Sequence, residues 1–129
     1  MTALDTNVVV RLILRDDPDQ LARARTLLAA EACIVPPTVL LEAAWVLKSQ
    51  GGLPRPEIVR QLRFLLDLPT VTVENEAAVR AALDDADAGL DVADAFHRAF
   101  APGAARLATF DRRFAEAAAA RPGLPVDLL

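Results

Sequence analysis

The chain has 129 residues, 53% hydrophobic and 25% charged, which fits one globular domain over 1–129 and excludes a disordered chain. One cysteine, Cys33, and one histidine, His97, exclude an internal disulfide and zinc sites built from several Cys or His ligands. A net charge of −4 argues against a general nucleic-acid coat, but not against a nuclease whose acids hold metal ions. The cations are 13 arginines and Lys48. Arginine suits bidentate contacts to phosphate or carboxylate; biased genomic composition accounts for the excess equally well. No apolar run approaches the roughly 20 residues of a membrane span. Asp5 comes too early for a signal peptide, and Arg11 interrupts the apolar stretch from Val8 to Leu14. The expected compartment is the reducing cytoplasm.

In chain order, a strand is expected at Thr2–Leu4. The valine-rich stretch Asn7–Leu14 reads as a strand by propensity alone. Asp17-Pro18 supplies a helix cap and a first-turn proline, with Leu21, Ala24 and Leu28 following at helical spacing. A second strand falls at Ala32–Val35. Thr38–Gln50 is apolar nearly all round, which predicts a helix that is buried or lies at a subunit interface. Pro54 opens a helix with Ile58, Leu62 and Leu65 as its stripe, and a strand follows at Thr70–Val73. Asn75 can cap a helix with Val79, Ala82, Leu83 and Ala86 inward. Asp91 can cap another, with Val92, Ala95, Phe96 and Ala99 inward. A strand at Ala105–Thr109, a helix from Asp111 to about Ala120, and a strand at Val126–Leu128 complete the chain. Strands alternating with helices predict a layered α/β fold with a mostly parallel sheet.

Four carboxylates stand where such a fold gathers chemistry. Asp5 and Asp111 follow strands, at the ends where open α/β sheets bind ligands. Glu42 lies inside the apolar helix, and Asp94 in the first turns of the helix after Gly89. Each also has a structural role open to it. Asp5 and Asp111 are positioned as helix caps, and Asp91 with Asp94 resembles a capping box. Glu42 must be paired, neutral, exposed or metal-bound, because a buried unpaired charge costs several kcal/mol. If the four converged to about 5 Å, each pair would repel by roughly 3 kcal/mol at an effective dielectric near 20. No lysine cluster offsets that, whereas a divalent cation would. All-oxygen ligands select Mg²⁺ or Mn²⁺, and the matching chemistry is metal-assisted phosphodiester hydrolysis.

These residues resemble a known family. Leu4-Asp5-Thr6-Asn7-Val8, Leu41-Glu42, Gly89-Leu90-Asp91-Val92-Ala93-Asp94-Ala95 and Thr109-Phe110-Asp111 are similar, in order and spacing, to the motifs of PIN-domain nucleases. The length is similar to that of the VapC-like toxins of bacterial type II toxin–antitoxin modules. The resemblance implies a three-layer α/β/α fold with a five-stranded, mostly parallel sheet, and makes Asn7–Leu14 a helix. It implies an endoribonuclease whose acidic Mg²⁺ site, with Mn²⁺ possible, is Asp5, Glu42, Asp94 and Asp111. Asp5 and Asp94 would be direct ligands; Glu42 and Asp111 would act through water or hold a second ion. Thr6, Asn7 and Thr109 would orient the carboxylates, and Asp91 would assist or only cap. It also implies an RNA substrate, a VapB-like antitoxin covering the acidic groove, and a homodimer to which the Thr38–Gln50 helix contributes.

His97, one turn after Asp94, is a weaker candidate base, because a metal-activated water needs none. Arg112 and Arg113 are candidates for phosphate contacts or for a solvated face. A signalling receiver domain would need a lysine after its last strand, and Lys48 lies elsewhere. A haloacid-dehalogenase-like phosphatase would need a second Asp where Asn7 stands. A non-catalytic PIN-fold module that binds RNA or protein is the remaining alternative.

Overall fold

The computed structural model describes residues 1–129. Its backbone divides into two compact units, Met1–Glu76 and Ala77–Leu129.

The first unit runs β1 (Thr2–Ala3), α1 (Thr6–Leu14), α2 (Pro18–Ala30), β2 (Cys33–Val35), α3 (Pro37–Ser49), α4 (Arg55–Leu66) and β3 (Val71–Val73). The strands form a parallel sheet in the order β1-β2-β3. Thr2 stands opposite Cys33, and Cys33 opposite Val71. Parallel pairing requires a long return, and two helices fill each crossover. Cys33 and Val35 of β2 are fully buried.

The segment Asn7–Leu14 is a helix, as the resemblance implied and against its valine content. The burial pattern gives the reason. Thr6, Val9 and Val10 recur at helical spacing and are the buried residues of α1. Packing against α2 and α3 outweighs the propensity of the three valines. Val8 and Val9 donate their N–H groups to the Asp5 carbonyl, which starts the helix. At its far end Arg15 takes a left-handed φ of 55°. Arg11 pairs with Asp16 at 2.6 Å.

Helix α2 begins as expected: the Asp17 carboxylate accepts the Gln20 N–H at 3.0 Å, with Pro18 in the first turn. Of the two expectations for helix α3, burial all round is overturned: Leu40, Ala43, Ala44 and Leu47 face inward, while Thr38, Glu42, Trp45 and Ser49 form an exposed face. Those four positions also recur at helical spacing, and the tryptophan among them hid the pattern. After α3 the chain turns sharply at Gly51, where a Cβ would lie 2.7 Å from the Leu47 carbonyl oxygen. Only glycine fits there.

The second unit comprises α5 (Glu76–Asp87), α6 (Val92–Ala99), β4 (Leu107–Thr109), α7 (Arg112–Ala119) and β5 (Val126–Leu128). Asn75, just ahead of α5, adopts φ 52°, which asparagine tolerates better than most residues. Strands β4 and β5 pair in parallel, with Leu107 opposite Val126 and Thr109 opposite Leu128. Val79, Ala82, Leu83 and Ala86 of α5 are buried, as are Ala95 and Phe96 of α6. Asp85 and Arg98 are buried too, joined at 2.8 Å.

The five strands fall where the sequence placed them, but they do not make one five-stranded sheet. They form a three-stranded and a two-stranded sheet, both parallel. Each strand has only two or three residues, so its edge offers few ladder bonds. Leu4, Ala32, Thr70 and Ala105-Arg106, expected in strands from the sequence, lie outside them. No helix is long and apolar enough to cross a membrane.

Leu40, fully buried at the centre of the inward face of α3, tests this packing. Leu40→Ala should cost about 2–5 kcal/mol in urea unfolding, and a cost under about 1 kcal/mol would contradict the packing described.

Candidate active site

Two of the four candidate acids belong to the first unit. Asp5 occupies the N-cap position of α1 with extended backbone, φ −82° and ψ 163°, yet its side chain makes no capping hydrogen bond. Capping is therefore left to the backbone, and the exposed carboxylate is unengaged. Thr6 beside it is buried and Asn7 is exposed. Glu42 lies on the exposed face of α3. Exposure, one of the four options open to it, removes the burial cost that set it apart in the sequence.

The other two belong to the second unit, where the local geometry is more constrained. Asp91 caps α6: its Oδ2 accepts the N–H groups of Ala93 at 3.1 Å and Asp94 at 3.3 Å. The Asp91 carboxylate thus fixes the backbone from which Asp94 projects. Asp111 caps α7, its Oδ1 accepting the Phe114 N–H at 3.2 Å. The Thr109 hydroxyl oxygen accepts the Asp111 N–H at 3.0 Å. Thr109 therefore holds Asp111 through the backbone and not, as the sequence reading had it, through the carboxylate. Both capping roles foreseen for Asp91 and Asp111 are present, and each cap uses one carboxylate oxygen.

Asp94 is half-buried on α6. Burial pushes its carboxyl above the usual aspartate range, and the nearby Asp91 and Asp111 carboxylates push in the same direction; His97 opposes them. Asp94 is partly buried, and no arginine or lysine pairs with it. Asp91 and Asp111 thus both lie within electrostatic reach of Asp94. In neither unit do three or more His, Cys, Asp or Glu side chains stand close enough to form a ready metal cage. His97 is exposed on α6, and Arg112 and Arg113 are exposed at the start of α7.

The buried Asp85 and Arg98 were not singled out from the sequence. A signal was present: each charge sits beside the apolar stripe of its helix, and the two have opposite sign. An arginine next to Ala95 and Phe96 on an otherwise inward face is an unusual placement unless it is paired.

The Asp94 shift has a testable sign. A folded-state pKa above 3.8 means that the native chain holds this proton to higher pH than the unfolded one. Stability then falls as pH rises through that window, and the loss persists at neutral pH. Asp94→Asn should therefore melt at a higher temperature than wild type at pH 7 in EDTA. The gap should close as pH drops below about 4. An equal or lower melting temperature at pH 7 would contradict the cost of burial and repulsion described.

Comparison with known proteins adds the family. No curated protein matches the chain significantly. The family profile of the PIN domain matches residues 2–120, across both units and all four acids. Members of this family are typically metal-dependent nucleases. The chain belongs to the PIN-domain family.

Proposed function

We propose that the chain is an endoribonuclease dependent on a divalent cation, with Asp5, Glu42, Asp94 and Asp111 as its acidic site. The observation that carries this reading is Asp94, a partly buried carboxyl raised by burial and by the Asp91 and Asp111 carboxylates, with no basic side chain paired to it. A hard cation fits that donor chemistry. The donors are all carboxylate oxygens, the only thiol is the buried Cys33, and the charge is locally uncompensated.

Asp5 and Asp94 are assigned as direct ligands of Mg²⁺, or of Mn²⁺ in its place. Glu42 and Asp111 are assigned to ligation through water or to a second ion. The bound cation supplies an activated water and a counter-charge for the phosphodiester. The chain's own residues do the positioning. Asp91 holds the Asp94 N–H and Thr109 holds the Asp111 N–H, while Thr6 and Asn7 directly follow Asp5 in the chain. The unengaged carboxylate of Asp5 supports its assignment as a ligand, since capping makes no claim on it.

At a finer level, we propose that the chain is the toxin of a type II toxin–antitoxin pair, VapC-like, working in the cytoplasm as a single domain over 1–129. Its partner is a VapB-like antitoxin. It acts as a homodimer, to which α3 contributes; the 65% exposure of Trp45 supports a role for that helix in an interface.

The test is cleavage of total bacterial RNA by purified protein in Mg²⁺ or Mn²⁺, against EDTA. Discrete fragments are expected only with metal. Asp94→Asn and Asp5→Asn should each lower the cleavage rate at least about a hundredfold, which is about 3 kcal/mol of transition-state stabilisation. Full activity in either folded variant would overturn the assignment. Metal-independent binding of RNA without cleavage would favour the non-catalytic module instead.

A further inference from the structure

We propose that Arg98 is a positioning residue, whose buried guanidinium locks together the two segments of the second unit that carry Asp94 and Asp111. The proposal rests on the reading of those two acids given above. The Arg98 side chain is only 3% exposed and uses three of its N–H groups on fixed acceptors. Nη1 donates to Asp85 Oδ2 at 2.8 Å, on α5. Nε donates to the Leu124 carbonyl at 2.7 Å, and Nη2 to the Arg121 carbonyl at 3.2 Å. The other Asp85 oxygen accepts from Arg121 Nε at 3.0 Å.

Each end of this network leads to one of the acids. Arg98 lies one helical turn after Asp94 on α6, so anchoring it fixes the helix that presents Asp94. The turn it grips, 121–124, runs directly into β5. There the Leu107 N–H donates to the Pro125 carbonyl at 2.9 Å, and the Leu129 N–H donates to the Thr109 carbonyl at 2.8 Å. Thr109 in turn holds the Asp111 N–H. One guanidinium thus connects the Asp94 helix to the strand end that sets Asp111.

Stability is a poor explanation for this arrangement. A buried ion pair is often no more stabilising than apolar residues of the same volume. What arginine adds is a rigid planar fork that fixes several acceptors at once. The turn is shaped around that fork. Gly123 has φ 117°, and a Cβ there would stand 3.4 Å from Arg98 Nη2.

The test compares Arg98→Lys with Leu83→Ala, a core variant of α5 that leaves the network intact. Both are studied as the full chain, at a temperature where circular dichroism shows them folded. Lysine keeps the charge opposite Asp85 but cannot make the fork. Calorimetric titration with Mn²⁺ should show Arg98→Lys binding about 10–100-fold more weakly than wild type, and Leu83→Ala binding unchanged. Hydrogen exchange should quicken at the Asp111 and Leu129 amides in Arg98→Lys only. Should that variant not fold, Gly123→Ala strains the same turn while keeping both ionic partners, and the same pattern is expected. Wild-type affinity and exchange in the clamp variant, or equal losses in Leu83→Ala, would overturn the proposal. If wild type binds no Mn²⁺, the nuclease reading fails, and the exchange comparison alone decides whether Arg98 holds the two segments together.

Discussion

A carboxylate kept partly out of water has to be compensated, and the second unit contains two solutions to that requirement. Asp85 is buried and receives two arginines, Arg98 at 2.8 Å and Arg121 at 3.0 Å. Asp94 is partly buried, lies near two further carboxylates, and receives no arginine or lysine. A chain with 13 arginines does not lack the means to pair Asp94. The contrast separates a carboxylate paired within the fold from one that no arginine or lysine neutralises. In a family whose members are typically metal-dependent nucleases, a divalent cation is the natural counter-charge.

The capping residues show how one side chain serves both fold and site. Asp91 and Asp111 each begin a helix with a carboxylate oxygen, as their positions in the sequence suggested. Each also adds negative charge near Asp94. Helix initiation and accumulation of charge are therefore the same arrangement. The repulsion is tolerated because each cap aligns its carboxylate with the positive end of a helix. Asp5 differs: it stands at a cap position with its side chain unengaged, so the fold does not explain its carboxylate.

Much of this was legible in the sequence, and the failures have physical causes. Asp17-Pro18, Asp91 and Asp111 act locally, through backbone N–H groups two or three residues away, so their caps could be read directly. The five strands were located, but how they pair depends on ladder bonds between distant segments, and these proved to be few. Propensity alone made the valines of α1 a strand, and only the resemblance made them a helix, because strand propensity reflects packing surroundings that a single segment does not reveal. Four options stayed open for Glu42 because Trp45 and Leu41 made α3 read as apolar nearly all round; the exposed series Thr38, Glu42, Trp45, Ser49 selects exposure. Arg98 escaped notice because its partners are 13 to 26 residues away in the chain.

The central claim is that Asp94 is where a divalent cation binds. Titrating the isotope-labelled chain with Mn²⁺ and following its amide NMR signals tests this most directly, because the paramagnetic ion broadens signals close to it. Selective broadening is expected at Asp91–Asp94 and at Asp111 at low Mn²⁺, reversed by EDTA and lost in Asp94→Asn. Broadening confined to exposed surface acids such as Asp16 and Asp19, with the start of α6 unaffected, would contradict it.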